Sequence, residues 1–339
     1  MPHTSSTHRV AVVVPCYRVT RHIAGVIAAI GPEVDRIYCV DDACPDHSGD
    51  MIEDSNRDPR VMVLRHEQNQ GVGGAVLTGY AQAITDGATV IVKIDGDGQM
   101  DPALLPGFIA PILRGEADYT KGNRFWDLRQ IRQMPLVRRI GNLGLSFLSK
   151  ISTGYWDIFD PTNGYTAIHA HIAARLPAAS ISRRYFFETD MLFRLNTMRA
   201  VVMDIPMDAR YADESSSLNV RRVLGEFLGK HVRNLFKRIV YNYFLRDLPI
   251  ASMELLAGLG LGTFGLVFGG WHWWQSAQRM GSTPVGTIMI ATVAVVSALQ
   301  LLLAFLNYDI NNIPRRPLHP HLGPLLSSSR SDPGQRSTN

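Results

Sequence analysis

Asp95 and Asp97 stand on either side of Gly96, with Gln99 and Asp101 close behind, at the end of the apolar run ATVIVKI (88–94). Carboxylates at i and i+2, released from strand geometry by a glycine, can turn toward one divalent cation, and a glutamine adds a neutral oxygen. Mg²⁺ or Mn²⁺ favours such an all-oxygen set and completes its shell with water or substrate phosphate. Asp95, Asp97 and Gln99 are therefore the candidate metal ligands. A calcium EF-hand loop begins the same way, but its obligatory glycine position is Met100 here and its bidentate glutamate position is Pro106. A plain polar turn between strand and helix stays open, because Asp-Gly pairs are common there.

Two other stretches carry groups that suit a ligand. VDDACPD offers Asp41 and Asp42 as acceptors for ribose hydroxyls or a base amide, with helix capping by Asp46 or Ser48 as the plainer role. HEQNQGVGGAVLTGY opens a helix with Gly71, Gly73 and Gly74, where a phosphate or base can approach the backbone closely. It has neither the GK[ST] of a Walker loop nor the spacing of GxGxxG.

These stretches need a scaffold that gathers them. RVAVVVP (9–15), RIYCVDD (36–42), RVMVLRH (60–66) and TVIVKIDGD (89–97) read as short β-branched strands, with helical patterns at 20–30, 47–56 and 71–86. Near-continuous apolar strands separated by helices predict an α/β fold, a mostly parallel sheet covered on both faces. Ligands bind such sheets outside the carboxyl ends of the strands. Those ends carry PCYR, VDDACPD, HEQNQGVGG and IDGDGQMD, so the polar residues collect on one edge. From 120 to 220 the pattern is less regular, with strands near 164–168 and 200–205 and helices near 138–150 and 188–197.

The 339 residues are 46% hydrophobic and 19% charged, and the apolar excess lies toward the C-terminus. Glu254 is the one formal charge between Leu248 and Trp274, and Ser282 to Asn307 has none. Each stretch exceeds the ~20 residues that span a bilayer core, which predicts two transmembrane helices; a buried soluble hairpin is the alternative. WHWW (271–274) and the GLGLGTFG glycines suit lipid better. RRVLGEFLGKHVRNLFKRIVYNYFLRD (221–247) is basic and amphipathic, which places it in the headgroup layer, with a solvated helix face as the plainer alternative and no nucleic acid expected as a partner. Arg315 and Arg316 follow the second span, whereas the loop between spans carries only Arg279. The positive-inside bias then puts the N-terminal part and the C-terminus in the cytoplasm.

The expected layout is a catalytic domain at 1–220, interfacial helices at 221–247, a membrane hairpin at 248–310 and a disordered tail at 311–339, rich in Ser, Pro, Gly and Arg after Pro320. Cys16, Cys39 and Cys44 lack metal-ligand spacing and read as reduced core thiols. MPHTSSTHR has no signal-peptide character. Whether copies associate is left open.

The order VVVPCY, VDDACPD, NQGVGGA, IDGDGQMDP, GNRF, DPTNGY and FFETDMLFRL resembles glycosyltransferase family 2, most closely its dolichyl- or polyprenyl-phosphate sugar synthases. The resemblance implies a GT-A fold, a nucleotide diphosphate sugar donor, a polyprenyl phosphate acceptor and inversion at the anomeric carbon. It implies nucleotide contacts at Pro15, Tyr17, Asp42 and Asp95, and metal or diphosphate ligands at Asp97 and Gln99. Arg124 matches a basic position, Arg138 or Arg139 would face the acceptor phosphate, and Asp160, Glu188 and Asp190 match acidic positions near the acceptor. Two positions depart from the family: Tyr17 is followed by Arg18 and Val19 rather than Asn-Glu, and Val72 stands where NxGKG has lysine. Both leave the base open between UDP and GDP. The QxxRW motif of processive synthases is missing, QIRQM (130–134) being no match, which argues for single transfer.

A phosphate monoester acceptor is already anionic, its second pKa being ~6, so it needs no strong base. Transfer to a hydroxyl lipid is the rival activity, and it would make Asp160 or Asp190 essential as a base. A catalytically silent membrane scaffold is a third reading, against which the intact Asp95, Asp97 and Gln99 weigh.

Overall fold

The computed structural model describes residues 8–126, 136–208 and 220–328. The chain divides into two compact units, residues 1–234 with 314–339, and residues 235–313.

The larger unit is built on a seven-stranded sheet of order β3-β2-β1-β4-β6-β5-β7. Its strands are β1 (Val10–Cys16), β2 (Arg36–Asp41), β3 (Val61–Arg65), β4 (Val90–Lys93), β5 (Tyr119–Asn123), β6 (Thr166–His169) and β7 (Val202–Pro206). The helices are α1 (Ile23–Ala29), α2 (Ser48–Ser55), α3 (Val72–Thr85), α4 (Leu105–Leu113), α5 (Leu136–Thr153), α6 (Phe187–Met198), α7 (Val220–Val240), α8 (Ile250–Gln278), α9 (Val285–Asn311) and α10 (His319–Ser328). Both faces of the sheet are covered because β1 is apolar in both registers. Val10, Val12, Val14 and Cys16 share a core with Ile23 and Val26 of α1 and with Leu105 and Phe108 of α4. Val13 faces α3 instead, where Gly79 lets the helix close in: a Cβ at 79 would lie 2.3 Å from Val13. That alternation is the period of two that pleated strands impose.

All neighbouring strands are parallel except β6, which runs antiparallel to both β4 and β5. The reversal has a consequence for ligands. Lys93 at the end of β4 and Lys121 in β5 both register with Thr166, the first residue of β6. The segment just before β6 therefore meets the carboxyl ends of its neighbours on one edge. β5 itself, YTKGN, is fully buried despite its polar composition, which is why the apolar pattern did not reveal it.

The tail does not follow its composition. α10 folds from His319, and Leu318 and His319 donate backbone N–H groups to the buried Asp118 carboxylate at 2.9 Å. His319 Nδ1 lies 2.8 Å from Asp118, and its ring stacks on His169 with centroids 4.2 Å apart. Within the described residues, the stretch expected to be disordered holds α10, whose N-terminus meets an anionic side chain that composition cannot show. Residues 329–339 lie outside the described residues.

The smaller unit holds the end of α7, a π-helical turn (Tyr241–Leu245), α8 and α9. α8 and α9 are each long and apolar enough to cross a membrane. They pack closely through glycines, since Cβ atoms at Gly265 and Gly269 would lie 2.8 Å from Val295 and 2.9 Å from Ala291. Near the end of α9, Asp309 is buried beside Arg238 (Nη2 to Oδ2, 3.0 Å) and accepts a hydrogen bond from Tyr243 Oη at 2.6 Å. A buried carboxylate persists there because a cation and a hydroxyl meet it.

Candidate active site

The carboxyl edge of the sheet carries two charge clusters. After β5, Arg124 forks onto Asp160, with Nε to Oδ2 at 2.7 Å and Nη2 to Oδ1 at 3.0 Å. Asp160 is completely buried, while the Arg124 side chain is 32% exposed. Thr162 and Asn163 also lie at hydrogen-bonding distance from the carboxylate. Asp160, one of the acids expected near the acceptor, is the fixed anion that aims a cation at the open edge.

After β4, the ammonium of Lys93 lies 2.8 Å from Asp95 Oδ1 and 3.2 Å from Glu188 Oε1. Burial by itself would lower Lys93, but the two carboxylates outweigh it and hold the group above its ordinary range. Gly164 packs over this pair, since a Cβ there would lie 2.4 Å from Lys93 Nζ and 2.6 Å from Asp95 Oδ2. Asp95 is therefore an ion-pair partner first, which argues against its expected role as a metal ligand.

Asp97 and Gln99 are partly exposed in the loop that follows, where Asp97 Oδ1 accepts the Gln99 N–H at 3.0 Å. Gly98 between them adopts φ of +76°, a conformation that a glycine takes without strain. No group of three His, Cys, Asp or Glu side chains able to hold a metal occurs among the described residues. The Asp97 carboxylate and Gln99 amide form an incomplete all-oxygen set, which fits a hard cation that takes its remaining ligands from water and a diphosphate.

Several expected ligand contacts have internal employment. Asp41 accepts N–H groups from Cys44 (2.8 Å) and Gly49 (2.7 Å), so it shapes its own loop. Asp42, also buried, accepts from Gln70 N (2.8 Å) and Gly71 N (2.7 Å) and meets His66 Nδ1 at 2.7 Å. Gly71 has φ of +84°, and a Cβ there would lie 2.5 Å from the Arg183 carbonyl. Its missing side chain serves packing between two loops rather than approach by a phosphate. Asp190 is buried, accepting Ser182 N at 2.8 Å and Asn234 Nδ2 at 3.0 Å. A carboxylate with both oxygens so engaged is an anchor for the start of α6, not a general base.

Tyr17 stands 44% exposed beyond the partly buried Pro15. Arg18 follows it in the left-handed region (φ 59°) and places its guanidinium 5.6 Å from the Tyr17 ring centroid. Arg138 and Arg139 both lie in α5, and Arg139 is half-buried. The same helix buries Ser146, Ser149 and Ser152 and exposes Leu136, Ile140, Leu143 and Phe147 in a row. Sequence reasoning passed over Lys93, Lys121 and Asp204. Burial pushes Lys121 down to about 8 and Asp204 up to about 6. They occupy paired positions on β5 and β7, a relation visible only once those strands are aligned. The stretch YADESSSLNVRR (211–222) lies largely outside the described residues.

The covered, mostly parallel sheet with an acidic loop on its carboxyl edge has the GT-A architecture. Residues 11–176, just under half of the chain, match the family model for glycosyl transferase family 2, and the chain resembles glycosyltransferases of that family. It is 26% identical over 227 residues to a UDP-N-acetylglucosamine–dolichyl-phosphate N-acetylglucosaminyltransferase of Methanococcus voltae, covering 63% of this chain and 90% of the relative. It is 29% identical over 204 residues to an undecaprenyl-phosphate mannosyltransferase of Micrococcus luteus, covering 59% and 82%. The fold is shared with glucosyl-3-phosphoglycerate synthase of Mycobacterium tuberculosis, solved with Mn²⁺, UDP and glucosyl-3-phosphoglycerate, at TM-score 0.51 and 19% identity over 68% of this chain and 80% of that one.

Proposed function

We propose that the enzyme moves a sugar from a UDP- or GDP-linked donor to a polyprenyl phosphate, with inversion at the anomeric carbon, at the cytoplasmic face of a membrane. The observation that carries this reading is the engagement of Asp160 and Asp190. Both acids are buried and hold the fold together, Asp160 on Arg124 and Asp190 on Ser182 and Asn234, so neither is presented to a hydroxyl acceptor as a base. A phosphate acceptor needs no such base, since its second pKa is ~6. Relatives that act on dolichyl and undecaprenyl phosphate support the same class of acceptor.

In this reading Tyr17 and Asp95 face the nucleotide, and Asp97 with Gln99 holds Mg²⁺ or Mn²⁺. The cation supplies charge neutralisation to the departing diphosphate. Arg124, held rigid by Asp160, adds a fixed positive charge at the same edge without reorganising during the reaction. α5 carries Arg138 and Arg139 for the acceptor phosphate, and its exposed apolar row suits a lipid-borne substrate. The basic α7 and the loop bias of Arg279 against Arg315 and Arg316 support the cytoplasmic side.

Membranes containing the enzyme, given radiolabelled UDP- and GDP-sugars with undecaprenyl phosphate, diacylglycerol or ceramide, test the assignment. Label in the phosphorylated polyprenol, lost with EDTA, is expected. Transfer to a hydroxyl lipid alone would replace the reading.

A further inference from the structure

We propose that Lys93 is a positioning residue that divides the work of the acidic pair: it withdraws Asp95 from the metal, couples it to Glu188, and leaves Asp97 as the carboxylate that meets cation and diphosphate. The inference deepens the proposed function and rests on its metal-dependent reading. Lys93 is 1% exposed and is the last residue of β4, so its backbone is fixed by register with Val13 on one side and Thr166 on the other. The side chain then has its two carboxylate partners at 2.8 and 3.2 Å.

The arrangement reaches beyond Asp95. Glu188 lies in the first turn of α6, directly after the 182–187 segment that packs on the glycine loop. There the Arg183 carbonyl accepts Gly73 N–H at 2.9 Å, and Arg183 Nη1 donates to Gln70 Oε1 at 2.6 Å. Through Lys93, the acidic loop after β4 is thereby tied to the start of α6, and through that segment to the loop before α3. Gly164 closes the remaining side, since a Cβ there would meet both Lys93 Nζ and Asp95 Oδ2. An uncharged residue at 93 would leave Asp95 and Glu188 facing a shared space with no cation between them, and Asp95 would be released to seek another.

The full-length enzyme in nanodiscs, as wild type, Lys93→Met, Lys93→Arg and Lys93→Met/Glu188→Gln, tests this. Mn²⁺ binding without nucleotide is read by EPR, UDP and GDP affinity in EDTA by calorimetry (the tighter of the two in the wild type serving as the nucleotide arm), and KM for the donor is separated from kcat. Lys93→Met should bind Mn²⁺ about tenfold more tightly, as Asp95 joins the ligand set, while losing nucleotide affinity and raising donor KM by about tenfold. Lys93→Arg should restore most of the nucleotide affinity. If the single variant does not fold, the double variant, which removes the facing charge, should show the same gain in Mn²⁺ affinity. Unchanged or weaker Mn²⁺ binding in a folded variant overturns the proposal. Wild-type activity that survives EDTA overturns the metal reading instead, and the nucleotide arm distinguishes the two failures.

Discussion

Arg124 and Asp160 form a two-point ion pair in which the carboxylate is wholly buried and the guanidinium remains partly open to the carboxyl edge of the sheet. Such a fork fixes the plane of the guanidinium as well as its position. Arg124→Ala should lower kcat by about 100-fold or more, the scale of losing a preorganised charge-stabilising donor. Arg124→Lys should recover little, because an ammonium cannot reproduce the fork. Asp160→Asn should lower kcat through a loosened Arg124. Steady-state kinetics with melting curves check that folding is retained.

Asp97 and Asp190 should separate catalysis from stability. Asp97→Ala is expected to fold normally and to lose metal-stimulated transfer by about 100-fold. Asp190→Ala strands the Ser182 N–H and the Asn234 amide in the interior. Leaving such groups unsatisfied costs about 1–3 kcal/mol, so stability should fall while the folded fraction keeps its kcat. An Asp190→Ala enzyme that is stable yet inactive would restore Asp190 as a base.

Removing one partner of the Arg238–Asp309 pair should be worse than removing both. Arg238→Met leaves Asp309, 4% exposed, without its cation. Breaking a buried pair costs about 3–5 kcal/mol, whereas an apolar replacement of both members is often neutral. Thermal unfolding in detergent should therefore show a large drop for Arg238→Met and substantial recovery for Arg238→Met/Asp309→Leu.

Acid should weaken the larger unit. Burial and the neighbouring His319 and His171 push His169 down from 6.5 to about 3, and burial pushes His231 down to about 4. Between those values and 6.5 the unfolded chain binds more protons than the folded one, so stability rises with pH through that window and falls on acidification. Asp204, raised to about 6, works in the opposite sense, so the informative quantity is variant against wild type. His231→Gln should flatten the fall of Tm between pH 6.5 and 4.5 relative to the wild type.

Reading from sequence succeeded where a short local pattern carries the physics. β1 to β4 and the membrane-length helices announce themselves by apolar runs, and glycine next to acid marks the loop holding Asp97 and Gln99. It failed at β5, whose Thr, Lys and Asn look like a surface turn but are buried between β6 and β7. It failed again at α10, because Asp118 lies 201 positions before the His319 it binds.

What the sequence alone determined about this protein is its parallel α/β layout, two helices able to cross a membrane, and which strand ends hold acid and glycine. Those depend on side-chain period, hydropathy and backbone freedom, all local properties. Only the tertiary structure decided the role of each acid. Asp41, Asp42, Asp160 and Asp190 are indistinguishable from Asp97 as letters, yet the first four are buried with their oxygens met by N–H groups, amides or Arg124. Whether a carboxylate faces a ligand or its own fold depends on partners brought from distant segments, such as Lys93 to Glu188 or Asp190 to Asn234, and that pairing exists only in the folded chain.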